Sequence, residues 1–433
     1  MVAEPIPAQL TAACAAVRQA TPADAVGGVQ PRIVAAPAST SEASTLLRAA
    51  DDLGFAVVFR GTGTRLHWGN PPERCDLLVE TTGLDEVVEH AAGDLVATVQ
   101  AGVHMNRLAA VLGAAGQRLA LDPPARAGHG TVGGVLASGA AGPLRLRYGT
   151  GRDLLIGITV VRADGTIARS GGKVVKNVAG YDLGKLFAGS RGTLGLITQA
   201  TFRLHPVPAQ TGYVCAEAAD PADASRVLAA ALESAVSPVA AEIRWPSATD
   251  PILACVAMEG DAASVGERAA ALADLLGPRA ASAGPEPPDW WGAGPAAQRG
   301  GTVLQIGFWP GDLTMVLTEL RRTAGAAGLD PAAGGSAAAG VLHAALGEDA
   351  DPRAVASFVA ALRDALAQRS EERDQHLTSS PARSSVVVQH AAPGVAALVD
   401  LFGPVPSLPL MRAVKAQFDP GRRMAPGRFA GGI

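Results

Sequence analysis

The sequence predicts an α+β fold in two or three domains, on three observations. Compact apolar runs such as Phe55-Ala56-Val57-Val58-Phe59 read as buried strands, and stretches with helical spacing lie between them. The pair Pro206 and Pro208 ends one series of elements, and beyond it alanine-rich helices are interleaved with isolated strands. Glycine is concentrated between Gly128 and Thr198, where it weakens helices and strands alike unless backbone must approach a ligand or another backbone closely. At 433 residues the chain can bury the cores that such an arrangement needs.

In chain order, residues 1–28 carry one helical pattern (Leu10, Ala13, Cys14, Val17) and read as a leader segment packed on the main body. A first domain is expected over 29–208. It opens with a short strand at Arg32–Ala36, and Ser39 to Glu42 has the Ser-x-x-Glu form of a capping box, starting a helix through Leu46, Leu47 and Ala50. Strands are predicted at 55–59, 77–80 and 95–100, with a helix over 104–112. Leu154–Arg162 and Thr166–Arg169 read as a hairpin about Asp164-Gly165, and Leu194–Leu204 as a further strand. The second domain, 209–406, should hold helices at 223–236 and 263–276 and strands at 240–244, 253–259, 302–308 and 385–389. Gly277–Pro288 and Ala324–Gly340 read as mobile surface loops. A helix over about 407–418 and the tail to 433 close the chain and are expected to pack back on the first domain.

Composition narrows the function. A hydrophobic share of 48% and a charged share of 18% describe an ordinary globular protein. The net charge of -4 offers no footprint for nucleic acid and no polybasic membrane patch. Cys14, Cys75, Cys215 and Cys255 form no CxxC pair, which argues against a cluster or structural zinc held by this chain alone and against a disulfide framework. No signal-peptide pattern opens the chain and no apolar run is long enough to span a membrane, so a cytoplasmic protein is expected. Lysine occurs only at 173, 176, 185 and 415, three of them inside the glycine-rich block.

Several motifs can be weighed by their chemistry. Strand 55–59 followed by Gly61-x-Gly63 invites a dinucleotide reading, with Glu80 placed where a ribose-binding acid would sit. Leu66 at the third glycine position and Asn70-Pro71-Pro72 in place of a helix fail the Rossmann fingerprint. The loop remains either an anion nest of backbone N–H groups or a tight glycine turn. Gly180–Lys185 has the wrong spacing for a Walker loop and Leu186 where magnesium needs a hydroxyl. The eight histidines show no metal-ligand spacing, and no GxSxG elbow supports a hydrolase. Asp122-Pro123-Pro124 reads as a rigid turn. Trp290-Trp291 reads either as a docking patch or as a pair packed under its own domain.

Together the glycine elements resemble a known family. Arg60-Gly61-Thr62-Gly63-Thr64, Thr131-Val132-Gly133-Gly134, Lys176-Asn177-Val178-Ala179-Gly180-Tyr181-Asp182-Leu183 and Gly189-Ser190-Arg191-Gly192-Thr193-Leu194-Gly195 occur in order. With Trp68-Gly69-Asn70-Pro71-Pro72 and the terminal Phe418–Phe429, they resemble the FAD-linked oxidases of the vanillyl-alcohol oxidase (PCMH) type. The nearest resemblance is to the flavin-binding E subunit of bacterial glycolate oxidases. It implies an α+β fold: a two-lobed FAD-binding domain followed by an α+β C-terminal domain. FAD would lie extended between the lobes, with Arg60, Gly61, Thr62, Gly63, Thr64 and Arg65 at the pyrophosphate. Thr131, Gly133, Gly134, Ser138 and Gly142 would line the ribityl and pyrophosphate side, and Gly192 and Ile197 would touch flavin or adenine.

Two departures shape what the resemblance implies. Relatives that attach FAD covalently place a histidine where this chain has Thr64, so the flavin is expected to be noncovalent. Relatives that oxidise 2-hydroxy acids carry histidine motifs in the C-terminal domain, and none occurs here; His343 and His390 stand alone, so no catalytic residue is assigned. The expectation is a flavin-holding subunit, partnered by a catalytic flavoprotein subunit and an iron–sulfur subunit of a glycolate oxidase-type complex, which could bring it to the inner membrane. The assembly would oxidise glycolate or a similar 2-hydroxy acid. The alternatives are a self-contained FAD oxidase of another alcohol or hydroxy acid, and a scaffold that has lost its flavin.

Overall fold

In the computed structural model, residues 5–124, 130–173, 182–295, 301–374 and 383–433 are described. Gly128, His129 and the motif residues Lys176–Tyr181 lie outside them.

Three sheets organise the chain. The first has strands Val17–Gln19, Ile33–Ala35, Leu77–Glu80 and Val57–Arg60 in that spatial order. The last three are parallel and buried, which suits their unbroken apolar runs. Helix Thr40–Asp52 covers this sheet through Ala43, Leu46, Leu47 and Ala50. Ser39 Oγ accepts from Glu42 N as the capping pattern predicts, but the reciprocal arm goes elsewhere. The Glu42 carboxylate accepts from Ala38 N and Ala15 N, so it fastens the leading segment rather than closing a box. That segment is more than a helix: after Ala8–Ala13 it contributes the edge strand Val17–Gln19.

The second sheet is antiparallel, in the order Val87–Ala91, Val96–Gln100, Leu196–Arg203, Leu155–Val161 and Ile167–Gly171. The predicted hairpin is there, with Gly165 at φ 77° in its turn. Helices Met105–Gly113 and Val132–Ser138 cover its inner face around Val99, Leu108, Val135 and Phe202. The second helix runs through glycine-rich sequence. It forms because Thr131 caps it, Oγ1 accepting from Gly134 N at 3.2 Å, and because Gly139 ends it in the left-handed conformation.

The third sheet has eight antiparallel strands, in the order Ala280–Gly284, Gln210–Ala218, Ile252–Gly260, Ala240–Trp245, Ala332–Gly335, Val341–Ala345, Val303–Gly307 and Ser385–His390. Helices Pro221–Glu233, Ala262–Leu276, Leu313–Ala326 and Pro352–Asp374 pack on one face of it and form the largest apolar core. Both expected surface loops are corrected here. Ala280–Gly284 pairs as an edge strand, and Ala332–Gly335 is buried in the middle of the sheet. The expectation about cysteine is corrected too: Cys215 and Cys255, directly opposite on neighbouring strands, form a disulfide. Forty residues of sequence separate them, so spacing gave no sign of the pairing. Trp291 stacks edge-on against Tyr213 at 5.2 Å beside Val239 and Ala257.

The tail returns to the first sheet. Val57 N donates to Arg423 O and Ala425 N to Val57 O, adding the tail as an extra edge. Lys415 on helix Leu408–Phe418 is buried, with Nζ 2.6 Å from Asp419 Oδ2 and donating to Thr193 O and Met424 O. One ammonium thereby ties helix, tail and second sheet together. No helix among the described residues is long and apolar enough to cross a membrane.

Candidate functional site

A cleft opens where the first two sheets meet. One wall is the turn after strand Val57–Arg60, from Gly61 to Trp68; the other is the start of helix Val132–Ser138 with loop Arg191–Ile197. Arg60, Gly61, Thr62, Gly63, Thr64, Arg65, Thr131, Gly133, Gly134, Ser138, Gly192 and Ile197 all line it. Gly142 is the exception. A Cβ there would lie 1.8 Å from Asp122 O, so this glycine permits packing of two backbone segments away from the cleft.

The glycines set how closely the walls approach. A Cβ on Gly61 would stand 2.3 Å from Thr131 Oγ1, and one on Gly192 would stand 2.9 Å from Phe59 Cδ2. Gly133 donates its N–H to Ala101 O at 2.7 Å, and a Cβ would meet the Ala101 methyl at the same distance. Loop 189–192 is docked on the helix end, with Gly189 N on Leu136 O and Arg191 N on Ala137 O, both at 2.8 Å. Arg191 has φ 55°, an uncommon value for a side-chain-bearing residue, and it turns its guanidinium over Phe402 and Phe429.

Two kinds of arginine line the cleft. Arg60 is neutralised: it pairs with Asp24 at 2.7 Å and with Glu80, its parallel neighbour across the strands. Glu80 is thus engaged by Arg60, in the place considered for a ribose ligand. Arg65, Arg191 and Arg428 have no ion pair with a carboxylate among the described residues. Arg428 Nη2 donates to Leu66 O and Trp68 O, Arg65 lies over the Trp68 ring, and Arg191 Nη1 is enclosed without a partner. Burial lowers each of the three to about 10, and at Arg191 the nearby Arg428 charge adds to the effect. Among the described lining residues there is no acid, histidine, lysine or cysteine. Holding guanidinium groups out of water without counter-charge is unfavourable, so the arrangement is suited to an anion that supplies it.

The sequence reading missed Arg191 and Arg428. Both stand in motifs it quoted, but their significance lies in the missing acidic partners, which only the folded chain reveals.

Residues 31–171 match the family described as FAD binding domain. The match assigns an FAD binding domain to this part of the chain. The chain is similar to glycolate oxidase subunit GlcD of Bacillus subtilis (strain 168), with 38% identity over 178 residues, 41% of this chain and 38% of that protein. Glycolate oxidase subunit GlcE of Escherichia coli (strain K12) is 39% identical over 152 residues, 35% of this chain and 43% of that protein. The chain therefore spans about two fifths of the length of these curated relatives. The likeness to the crystal structure of p-cresol methylhydroxylase with substrate bound extends further, over 97% of this chain and 92% of that one. Its TM-score is 0.69 at 16% identity, so it is a likeness of fold alone.

FAD is the cofactor of this domain, and the cleft fits its most demanding part. The pyrophosphate is a dianion; the walls offer backbone N–H groups that glycine leaves uncovered and three guanidinium groups lacking acidic partners.

Proposed function

We propose that this chain is the FAD-holding subunit of a glycolate oxidase-type assembly that oxidises a small 2-hydroxy acid. Arg65, Arg191 and Arg428 neutralise the pyrophosphate, and N–H groups of Gly61–Thr64 orient it, while Gly133 and Gly134 let the opposite wall come close. Thr64 offers no ring nitrogen for attachment, so the flavin is held noncovalently. When bound, FAD supplies the hydride acceptor for alcohol oxidation. This chain's own part is to bind the cofactor, to close the cleft to water through Phe59 and Trp68, and to fix its orientation. The observation that carries the reading is the convergence of the predicted glycine-loop residues, Gly142 excepted, on one acid-free cleft.

A catalytic flavoprotein chain and an iron–sulfur chain are the proposed partners, since the cleft contributes no general base of its own. Native purification followed by visible spectroscopy tests this directly. Flavin and cluster absorbance should co-elute with companion chains, and the isolated, FAD-loaded chain should turn glycolate over slowly or not at all. Rapid glycolate oxidation by the isolated chain would overturn the division of labour and favour a self-contained oxidase.

A further inference from the structure

Arg191 lines the cleft, and three distant parts of the chain surround its side chain. Its Cζ lies 5.1 Å from the centre of the Phe402 ring and 5.7 Å from that of Phe429. The two rings meet edge-on at 5.2 Å, so they form an aromatic corner against the guanidinium. The third side is Gly69, in the turn that follows strand Val57–Arg60. A Cβ there would stand 2.6 Å from Arg191 Nη1, 2.8 Å from Arg428 O and 3.5 Å from Phe402 Cζ, and its φ of 84° also favours glycine. Nη1, which has no hydrogen-bond partner, is packed over that bare backbone.

Neither ring is loosely held. Phe402 is buried at the margin of the large sheet's core, with its N–H donating to Asp400 Oδ1 at 3.0 Å. Beside it, Leu401 O accepts from Val388 N of strand Ser385–His390 at 2.7 Å. Phe429 belongs to the tail: its N–H donates to Ile433 O at 2.9 Å and its carbonyl accepts from Asn70 Nδ2 at 3.5 Å. A guanidinium against aromatic rings is attracted by their quadrupoles, and this attraction leaves its net charge intact. A carboxylate in the same place, as Asp24 is for Arg60, would fix the arginine and also cancel the charge that an anion needs. The Arg428 charge repels Arg191, so the rings also oppose a push away from its present place.

We propose that Phe402 and Phe429 are positioning residues that hold the Arg191 guanidinium at the FAD pyrophosphate by cation–π attraction, so that cofactor affinity depends on the core of the large sheet. The proposal rests on the reading of Arg191 as a pyrophosphate ligand. Leucine at either position keeps an apolar side chain and removes the ring face, which leaves Arg191 free to turn from the cleft. The plainer role for the two rings is to pack the tail on the large sheet, and a cycle of substitutions separates the two roles.

FAD is titrated into flavin-free wild type, Phe402→Leu, Arg191→Met and the double variant. Binding is read from flavin fluorescence, and folding from the melting temperature. Phe402→Leu should weaken FAD binding by roughly 5- to 30-fold, the range of a desolvated cation–π contact. In the Arg191→Met background the same substitution should weaken it by less than about 2-fold, because the ring reaches FAD only through that arginine. Phe429→Leu, run through the same cycle, should show the same pattern with a smaller loss, in keeping with its longer distance, and stands in if Phe402→Leu fails to fold. Equal weakening in the two backgrounds, or unchanged FAD affinity in Phe402→Leu and Phe429→Leu, would overturn the proposal and leave the cofactor reading standing. A folded wild type that binds no FAD would overturn both.

Discussion

The cleft between the first two sheets and the inner face of the large sheet both gather charge, with different materials. The cleft has three arginines without ion-pairing acids, and its contacts are backbone N–H groups uncovered by glycine. The sheet face sets buried carboxyl groups and a neutral imidazole around one arginine. A dianion of fixed shape can be held by backbone geometry and net positive charge. Within the cleft the same contrast recurs at smaller scale, because Arg60 is committed to Asp24 and Glu80 while Arg191 and Arg428 are not.

The largest effect should come from the wall-to-wall approach. Gly61→Val would drive a branched side chain into Thr131, and FAD uptake, read by flavin absorbance after gel filtration, should be abolished. Next come the arginines. Arg191→Met or Arg428→Met should weaken FAD binding by about 10- to 100-fold, the range of a charge-assisted hydrogen bond. Arg191→Met should nevertheless leave the melting temperature of the flavin-free chain unchanged or raised, because it removes repulsion from Arg428 and an unpartnered Nη1. Arg60→Met should do the reverse and destabilise the flavin-free chain by about 2 kcal/mol, since it strips a partner from buried Asp24. If the two substitutions behaved alike in the flavin-free chain, the distinction between paired and unpaired arginines would fail.

The two regions should also respond oppositely to pH. Glu242 and Asp122 are raised to about 8 and about 7 in the fold, from ordinary values of 4.5 and 3.8. Folded chains then retain protons that unfolded chains have released, so this contribution to stability is present at low pH and is lost as pH rises towards 8. Asp24 runs the other way. Its hydrogen bonds, led by that from Arg18, hold it well below the carboxylate range, so its contribution is present at neutral pH and lost on acidification below 3.8. Melting temperatures measured against pH should show a shallower alkaline decline in Glu242→Gln and a shallower acid decline in Asp24→Asn. The smallest effect is a control far from both sites. Gly266→Ala on helix Ala262–Leu276, where a Cβ meets nothing within 4 Å, should add up to about 1 kcal/mol and leave flavin binding untouched.

Much of the fold was legible because its signals are local. Ser39 and Glu42 marked a helix start, Asp164-Gly165 a hairpin, and the apolar runs at 55–59 and 77–80 their strands, the first shifted in the fold to Val57–Arg60. The glycine loops were legible as a set because each combines with the others in a fixed order. What stayed hidden depends on neighbours distant in sequence. Ala332-Ala333-Gly334-Gly335 has no β-branched residue and reads as a loop, yet pairing on both sides makes it a central strand. Cys215 and Cys255 meet only because their strands align. Arg191 and Arg428 matter for acids that are not beside them, and His343, alone in the sequence, stands in the field of Arg145 from the other domain.

The central claim is that the acid-free cleft holds FAD without a covalent bond. It is tested by adding FAD to the purified chain, removing excess by gel filtration, and precipitating the coloured protein with acid. The account predicts uptake near one flavin per chain and its full release into the supernatant. A correctly folded protein that takes up no FAD, or flavin that stays on the precipitated chain, would contradict it.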